Sequence, residues 1–382
     1  MSKTSSHYDV IVLGAGINGL CTAYHLWRKG VRSLAVVDRF EAGHNKGSSH
    51  GKSRITRSTY STPKYVELMQ VAHGEEWQRL ARDAGKSFLH PTPGCFFGPG
   101  IQPYIDSMRS VPELQGAFRV LDPGEARRTF PCFAFPDSEQ VIHDTTCATV
   151  AAEETIQWLT AYIAQRAHLL TGQPVLGIRP TSTHIELPTP VGSLTCDRLV
   201  VTAGGWLGRL FPDLRPRLQV AHQDVGYFNI PQDEHVPVWV YVPRDGDSFY
   251  GLPQFQRAGA KVARHRTGPE GDEPDRPIPS AMPDEVQAEL ARFVQRQFAC
   301  PGPVVGYEAC LYTNTVNEDF LLDHYPGDSR IVIGSACSGH GFKLGPLTGR
   351  VLADLLLDGA TSLPAFERHR DAFRLTAHRD WP

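Results

Sequence analysis

The strongest constraint on the fold lies near the start of the chain, where Tyr8-Asp-Val-Ile-Val-Leu-Gly14 reads as a buried strand running into Gly14-Ala-Gly16-Ile-Asn-Gly19. A helix follows, with Leu20, Ala23, Tyr24 and Trp27 at helical spacing, and it stops at Arg28 and Lys29 before Gly30. Ser33-Leu-Ala-Val-Val-Asp38 then reads as a second strand, completing a βαβ unit. The three glycines serve different ends. Gly14 makes the tight turn, Gly16 lets backbone approach a pyrophosphate, and Gly19 lets the helix pack close to the strand. The helix start faces the phosphates. Asp38 ends the second strand, where a carboxylate accepts ribose hydroxyl protons and repels a 2'-phosphate. A dinucleotide site is the expectation; the alternative is a glycine-rich turn with an accidental acid.

At 382 residues and 41% hydrophobic, the chain can fill two ordinary cores, or one large core with an insertion. The net charge is -3 with both signs mixed, which gives no basis for a nucleic-acid or membrane-surface partner. Met1-Ser-Lys-Thr-Ser-Ser-His7 is polar and leads directly into the first strand, and Arg379-Asp-Trp-Pro382 is not a peroxisomal address. No run approaches the roughly 18 apolar residues of a membrane span. A cytoplasmic protein is expected. Cys21, Cys95, Cys132, Cys147, Cys196, Cys300, Cys310 and Cys337 are scattered without a Cys-x-x-Cys pair, so most read as small buried hydrophobes, and no metal site is expected.

The rest does not read as two consecutive domains. After a loop over Gly43 to Arg54, a helical stretch from Pro63 to Arg82 carries Tyr65, Val66, Met69 and Trp77 on its apolar side. Strand-like runs follow at Leu89 to Phe97, then a helix near Val150 to Ala167 and a buried strand over Asp197 to Gly204, with Gly205 and Trp206 opening a helix. From Leu210 the pattern turns to strands without helices between them: Leu218 to Ile230, Val236 to Val242, Ser248 to Phe255 and Gly259 to Arg266. Such runs predict an antiparallel sheet. A Pro/Gly/acid-rich loop over Thr267 to Pro283 precedes a helix over Asp284 to Phe298; Arg330 to Gly334 is a last buried strand and Pro346 to Leu357 a last helix.

Four further motifs stand in order along the chain: Gly47-Ser-Ser-His-Gly-Lys-Ser-Arg-Ile-Thr-Arg57 with Tyr60, Tyr250-Gly-Leu-Pro-Gln-Phe with Lys261 and His265, Cys310-Leu-Tyr-Thr, and Ser338-Gly-His-Gly-Phe-Lys343. With the fingerprint, they resemble the FAD-dependent amine oxidases typified by monomeric sarcosine oxidase and N-methyltryptophan oxidase, over most of the chain. The resemblance implies an α/β fold: an FAD-binding dinucleotide domain from residues 1–88, 145–212 and 305–382, and a mainly antiparallel β substrate domain from 89–144 and 213–304. It implies FAD bound by Gly14, Gly16, Gly19, Asp38, Ser49, His50, Ser53, Arg54, Gly339, His340, Gly341 and Lys343. Cys310 would attach to the flavin 8α carbon, unless it is a buried thiol beside a non-covalent flavin.

Arg57 and Lys343 match the pair that holds the substrate carboxylate, a planar fork beside a point charge. Lys261 matches a lysine that promotes reaction with O2 by stabilising the developing superoxide. Arg54 matches a residue packed on the flavin ring, His265 and Tyr250 match residues near the substrate amine, and Tyr312 matches an aromatic wall. His265 also reads as a half-buried histidine satisfied by backbone. The glycines around His340 place the start of the last helix near the flavin. The implied activity is oxidation of a secondary amino acid such as sarcosine to the imine, with O2 reduced to hydrogen peroxide, by a monomer acting on a small molecule. Rival readings are a cyclic imino acid substrate, a dehydrogenase with another acceptor, and a non-catalytic flavin protein. Arg264 stands where an aromatic is usual, and Trp239 and Tyr241 alternate with valines on a strand expected to border the substrate, so the substrate stays open.

Overall fold

The apolar run Ser6–Leu13 is a buried strand paired in parallel with Leu34–Val37 on one side and Gly192–Val201 on the other. His168–Leu170 extends the sheet beyond Leu34–Val37, and Asp328–Ser335 joins in parallel along Leu199 to Val201. Antiparallel Ile185–Thr189, Arg179–Pro180 and Leu321–Tyr325 complete eight strands. The computed structural model describes residues 6–231, 236–265, 273–277 and 279–381. Of the expected 267–283 loop, residues 267–272 and 278 lie outside the described residues, as does Arg266 at the end of the strand expected there.

Ile17–Arg28, the helix of the fingerprint, packs against the last helix, Gly345–Asp358. Their approach needs Gly349, where a Cβ would collide with the backbone of Cys21. Asn18 then ties the two helix starts together, donating to the Ala336 carbonyl and accepting from the Thr348 hydroxyl. The fingerprint helix thereby opens at the cavity wall, with the last helix starting just behind it.

The second large sheet runs in the order Val304–Asn314, Gln219–Phe228, Ala260–Arg264, Phe249–Leu252, Val238–Tyr241, Gly94–Phe97, Val141–Asp144, Phe118–Leu121. Every pairing is antiparallel except that of Val238–Tyr241 with Gly94–Phe97. Helix Asp284–Gln297 covers one face, where Trp239 and Phe249 stack on Phe293. Trp239 and Tyr241 therefore point into that core, and Val240, one step out of phase, is the residue of this strand that faces the cavity. The bulk expected to border a substrate packs the far side of the sheet.

Other departures are local. Ser53–Thr56 is a strand rather than loop, paired with Ala148–Ala151, which also pairs with Leu89–Pro91. Its partners on both sides hold Val150 extended, so the helix expected there begins at Ala152. The helix expected over 63–82 is interrupted by a π-turn at Ala72–Glu76 between Pro63–Val71 and Trp77–Ala84. Strand Val304–Asn314 belongs to the second sheet although most of its residues fall within 305–382. Among the described residues no helix is long and apolar enough to cross a membrane.

Candidate active site

A cavity of about 840 Å³ is lined by both large sheets and takes in every residue named above as a site candidate except Gly19, which lies behind its wall. At one end Gly14 has φ +110° and a Cβ there would overlap the Thr202 carbonyl; a Cβ at Gly19 would overlap the carbonyl of Gly14. Gly16 at the N-cap has no side chain to offer, and the first helical N–H, that of Ile17, donates to the Ser49 hydroxyl at 3.0 Å. Ser49 thus holds the loop against Gly16. Asp38 accepts from the backbone N–H groups of Ala15 (2.7 Å) and Phe40 (2.9 Å), which fixes its carboxylate and leaves lone pairs for ribose hydroxyls. A cradle that only glycine fits, a helix start whose N-cap is a glycine and an anchored acid together suit the pyrophosphate and ribose of a dinucleotide such as FAD.

Farther along, Glu308, Cys310 and Tyr312 share one face of Val304–Asn314 by period two and line the cavity. Burial pushes the Cys310 thiol up, against the opposing pull of Arg54 and Lys261. Arg54 is held by backbone alone, donating to the carbonyls of Ser53 (2.9 Å), Ser48 (2.9 Å) and His50 (2.6 Å). Buried Lys261 donates to the Ser53 carbonyl at 3.2 Å, so Ser53 contributes backbone rather than its side chain. Burial first, then Arg54, brings Lys261 down to about 8, with Glu308 pulling the other way. Burial and Arg54 likewise bring His50 down to about 4, its ring set between the carbonyls of Gly47 and Ala309.

At the other end the cations Arg57 and Lys343 meet. The Arg57 guanidinium lies 4.2 Å from the centre of the Tyr60 ring, and its Nη1 is buried with no hydrogen-bond partner. Lys343 donates to the Tyr60 hydroxyl (3.2 Å) and the His340 carbonyl (3.0 Å); burial and then Arg57 hold its ammonium well below the ordinary lysine range. Neither cation has a carboxylate within ion-pair distance among the described residues. Nearby, the Tyr250 and Tyr312 hydroxyls are 3.2 Å apart, and the His265 and Tyr312 rings lie 5.4 Å centre to centre. Gly339, at φ +71°, sits so close to both rings that a Cβ would overlap them.

Two expectations shift in detail. His265 lies one residue beyond strand Ala260–Arg264, its N–H donating to the Ser248 carbonyl while its ring faces Tyr312 and Glu318. The last helix begins a turn behind the cavity: Gly339 to Lys343 line the wall, and the 3-10 turn Phe342–Leu344 intervenes. His340 stacks on Phe320 and hydrogen-bonds Tyr60 and the Glu318 carbonyl, bracing the clamp side. Arg264 pairs with Asp247 and Glu289.

Two residues not singled out from sequence contribute. Glu308 could have been found by its spacing from Cys310. Asp144, fully buried, accepts from the Ser58 and Thr59 N–H groups and the Thr59 hydroxyl with one oxygen, and from Thr146 with the other; it fixes the segment carrying Arg57 and Tyr60. No local pattern marks it.

Known proteins bear directly on this arrangement. The chain is 29% identical to monomeric sarcosine oxidase of Bacillus sp. (strain NS-129), covering 98% of this chain and 99% of that one. It is 32% identical to peroxisomal sarcosine oxidase of Mus musculus over 93% of each, and 28% identical to N-methyl-L-tryptophan oxidase of Yersinia pestis (strain Pestoides F) over 91% and 94%. Its fold superposes on NikD, an unusual amino acid oxidase essential for nikkomycin biosynthesis, with TM-score 0.80 at 21% identity, over 95% of this chain and 97% of that one. The model of FAD dependent oxidoreductases matches residues 9–355. Because that span takes in both the glycine cradle and the wall bearing Cys310 and Lys343, the chain belongs to the FAD dependent oxidoreductase family.

Proposed function

We propose that the protein oxidises a secondary amino acid, sarcosine or another N-methyl amino acid, to its imine and passes the electrons to O2, yielding hydrogen peroxide. The observation that carries this reading is the clamp: a buried guanidinium nitrogen without a partner beside a buried ammonium whose partners are neutral. A carboxylate supplies the acceptor oxygens and the negative charge both lack. Binding it raises the proton affinity of Lys343, so affinity for the anion grows as pH falls through the titration of that lysine. Tyr250, Tyr312 and His265 form the adjoining wall for the amine and its carbon substituent.

When bound, FAD supplies the two-electron acceptor that no side chain here provides. Gly14, Gly16, Gly19 and Asp38 would hold its dinucleotide end, with Ser49, His50, Ser53, Arg54 and the Gly339 to Lys343 turn along the rest. Cys310 would link to it covalently, with Arg54 and Lys261 favouring the thiolate such a bond needs. Lys261 sets a positive charge where dioxygen becomes negative. The same reading assigns 1–88, 145–212 and 305–382 to the cofactor part and 89–144 and 213–304 to the substrate part of a cytoplasmic monomer.

The test is anaerobic mixing with sarcosine, N-methyltryptophan, proline and pipecolate, followed by admission of O2 and a peroxide assay. Bleaching by an N-methyl amino acid and one peroxide per substrate is expected. Bleaching by the ring imino acids alone moves the substrate to that class, bleaching without peroxide excludes an oxidase, and no bleaching by any of them overturns the reading. Acid denaturation should leave flavin on the wild-type chain and release it from Cys310→Ser.

A further inference from the structure

Glu308 has no part in the scheme above, yet its carboxylate sits in the wall of the cofactor cavity, on the same strand face as Cys310. The Tyr227 hydroxyl donates to it at 2.6 Å from the adjacent strand, and Arg257 lies 3.8 Å away. Its two oxygens and the Arg54 guanidinium converge on Gly51, whose missing side chain makes room for them: a Cβ there would lie 3.3 Å from each oxygen and 3.2 Å from Arg54 Nη1. Buried Lys261 has one hydrogen bond, to a neutral carbonyl; it is paired across the sheet with Tyr227, and its Nζ lies 6.0 Å from the centre of that ring, whose hydroxyl donates to Glu308. The charged and titratable groups that bear on it are Arg54 from Ser53–Thr56, Arg257 from the turn before its own strand, His50 from the preceding loop, and Cys310 and Glu308 from Val304–Asn314. Among these, three cationic or protonatable groups oppose its charge, and Glu308 is the carboxylate that supports it.

We propose that Glu308, anchored by Tyr227, is a positioning residue that keeps Lys261 protonated in the cofactor cavity at neutral pH. This inference rests on the role given to Lys261 above. Removing the carboxylate would strip Lys261 of its charge support while burial and Arg54 continue to oppose protonation. The sign is counter-intuitive for an acid near a site that builds negative charge: losing a negative group should slow reoxidation, because a cation is lost with it. Glu308 itself stays ionised, since the Tyr227 hydroxyl and the nearby cations outweigh its burial and hold it below the ordinary glutamate range.

The experiment follows the rate of reaction of reduced enzyme with O2 from pH 6 to pH 10 in wild type, Glu308→Gln, Glu308→Asp and Lys261→Met. Alongside it runs a pH titration of the visible spectrum of resting enzyme, which reports charge beside the flavin without turnover. In wild type both should lose a cation as pH rises through a midpoint set by Lys261. In Glu308→Gln both midpoints should fall by about one unit, so that reoxidation is about twofold to sixfold slower between the two midpoints and approaches about tenfold slower above them. Glu308→Asp should lie nearer wild type, and Lys261→Met should be slow and flat. A midpoint in Glu308→Gln that stays put or rises, while Lys261→Met is slow and flat, overturns the role of Glu308 alone. Unimpaired reoxidation in Lys261→Met overturns the role of Lys261 on which it rests.

Discussion

Two Arg–Lys pairs face this cavity, and they differ in how their charge is answered. Arg54 and Lys261 are held by four hydrogen bonds to main-chain carbonyls, with Glu308 close by. Arg57, three residues farther along the same segment, has a guanidinium nitrogen with no partner, and Lys343 beside it leans on a tyrosine hydroxyl and one carbonyl. A buried cation costs several kcal/mol unless it is answered. The first pair is answered by the protein, as suits residues that stay beside a resident cofactor. The second is left short of an anion, as suits a receptor that fills and empties each turnover. On the proposed reading, the same two residue types serve differently because of what surrounds them.

The sharpest way to break this contrast is to remove one cation from each pair. Lys261→Met should slow reoxidation by about 100-fold or more while leaving anaerobic reduction by substrate near wild type, as stopped-flow absorbance of the two half-reactions would read. Arg57→Ala should do the reverse, costing about 3 kcal/mol, roughly 150-fold in kcat/KM for reduction, with reoxidation unchanged. Equal damage to both half-reactions in either variant would mean that the pairs are not separate devices.

Smaller effects sharpen it. Asp144→Asn should raise KM about tenfold with a lesser change in kcat, because Asp144 holds the turn that presents Arg57 and does not itself line the cavity. An unchanged KM in steady-state kinetics would show that the turn holds itself. Arg264→Ala should change kcat/KM less than about twofold, since its guanidinium is spent on Asp247 and Glu289. A larger loss would bring that strand end into the site.

The cofactor end was legible from sequence because its constraints are local: a turn, a helix start and a strand-end acid fall within one βαβ unit, and Gly14 and Gly19 are required by contacts within that unit and with Thr202. At the other end the family resemblance paired Arg57 with Lys343, but no local pattern did, since Arg57, Tyr60 and Lys343 meet across more than 280 residues of sequence. Asp144 gave no signal, as a buried acid whose hydrogen-bond donors are main-chain N–H groups and uncharged side chains leaves no charge pattern. Trp239 misled because alternation marks two faces without saying which one meets the cavity. The helix near Val150 was placed too early because an apolar run of that length suits a doubly paired strand equally well.

The most direct test of the clamp compares sarcosine with dimethylamine, which differs from it by the missing carboxylate, as reductants of wild type and Arg57→Ala under anaerobic conditions. Wild type should prefer sarcosine by about a hundredfold or more in reduction rate over dissociation constant, and Arg57→Ala should lose most of that preference while being reduced by dimethylamine about as well as wild type. Equal use of the two amines by wild type, or a preference that survives in Arg57→Ala, would contradict the clamp.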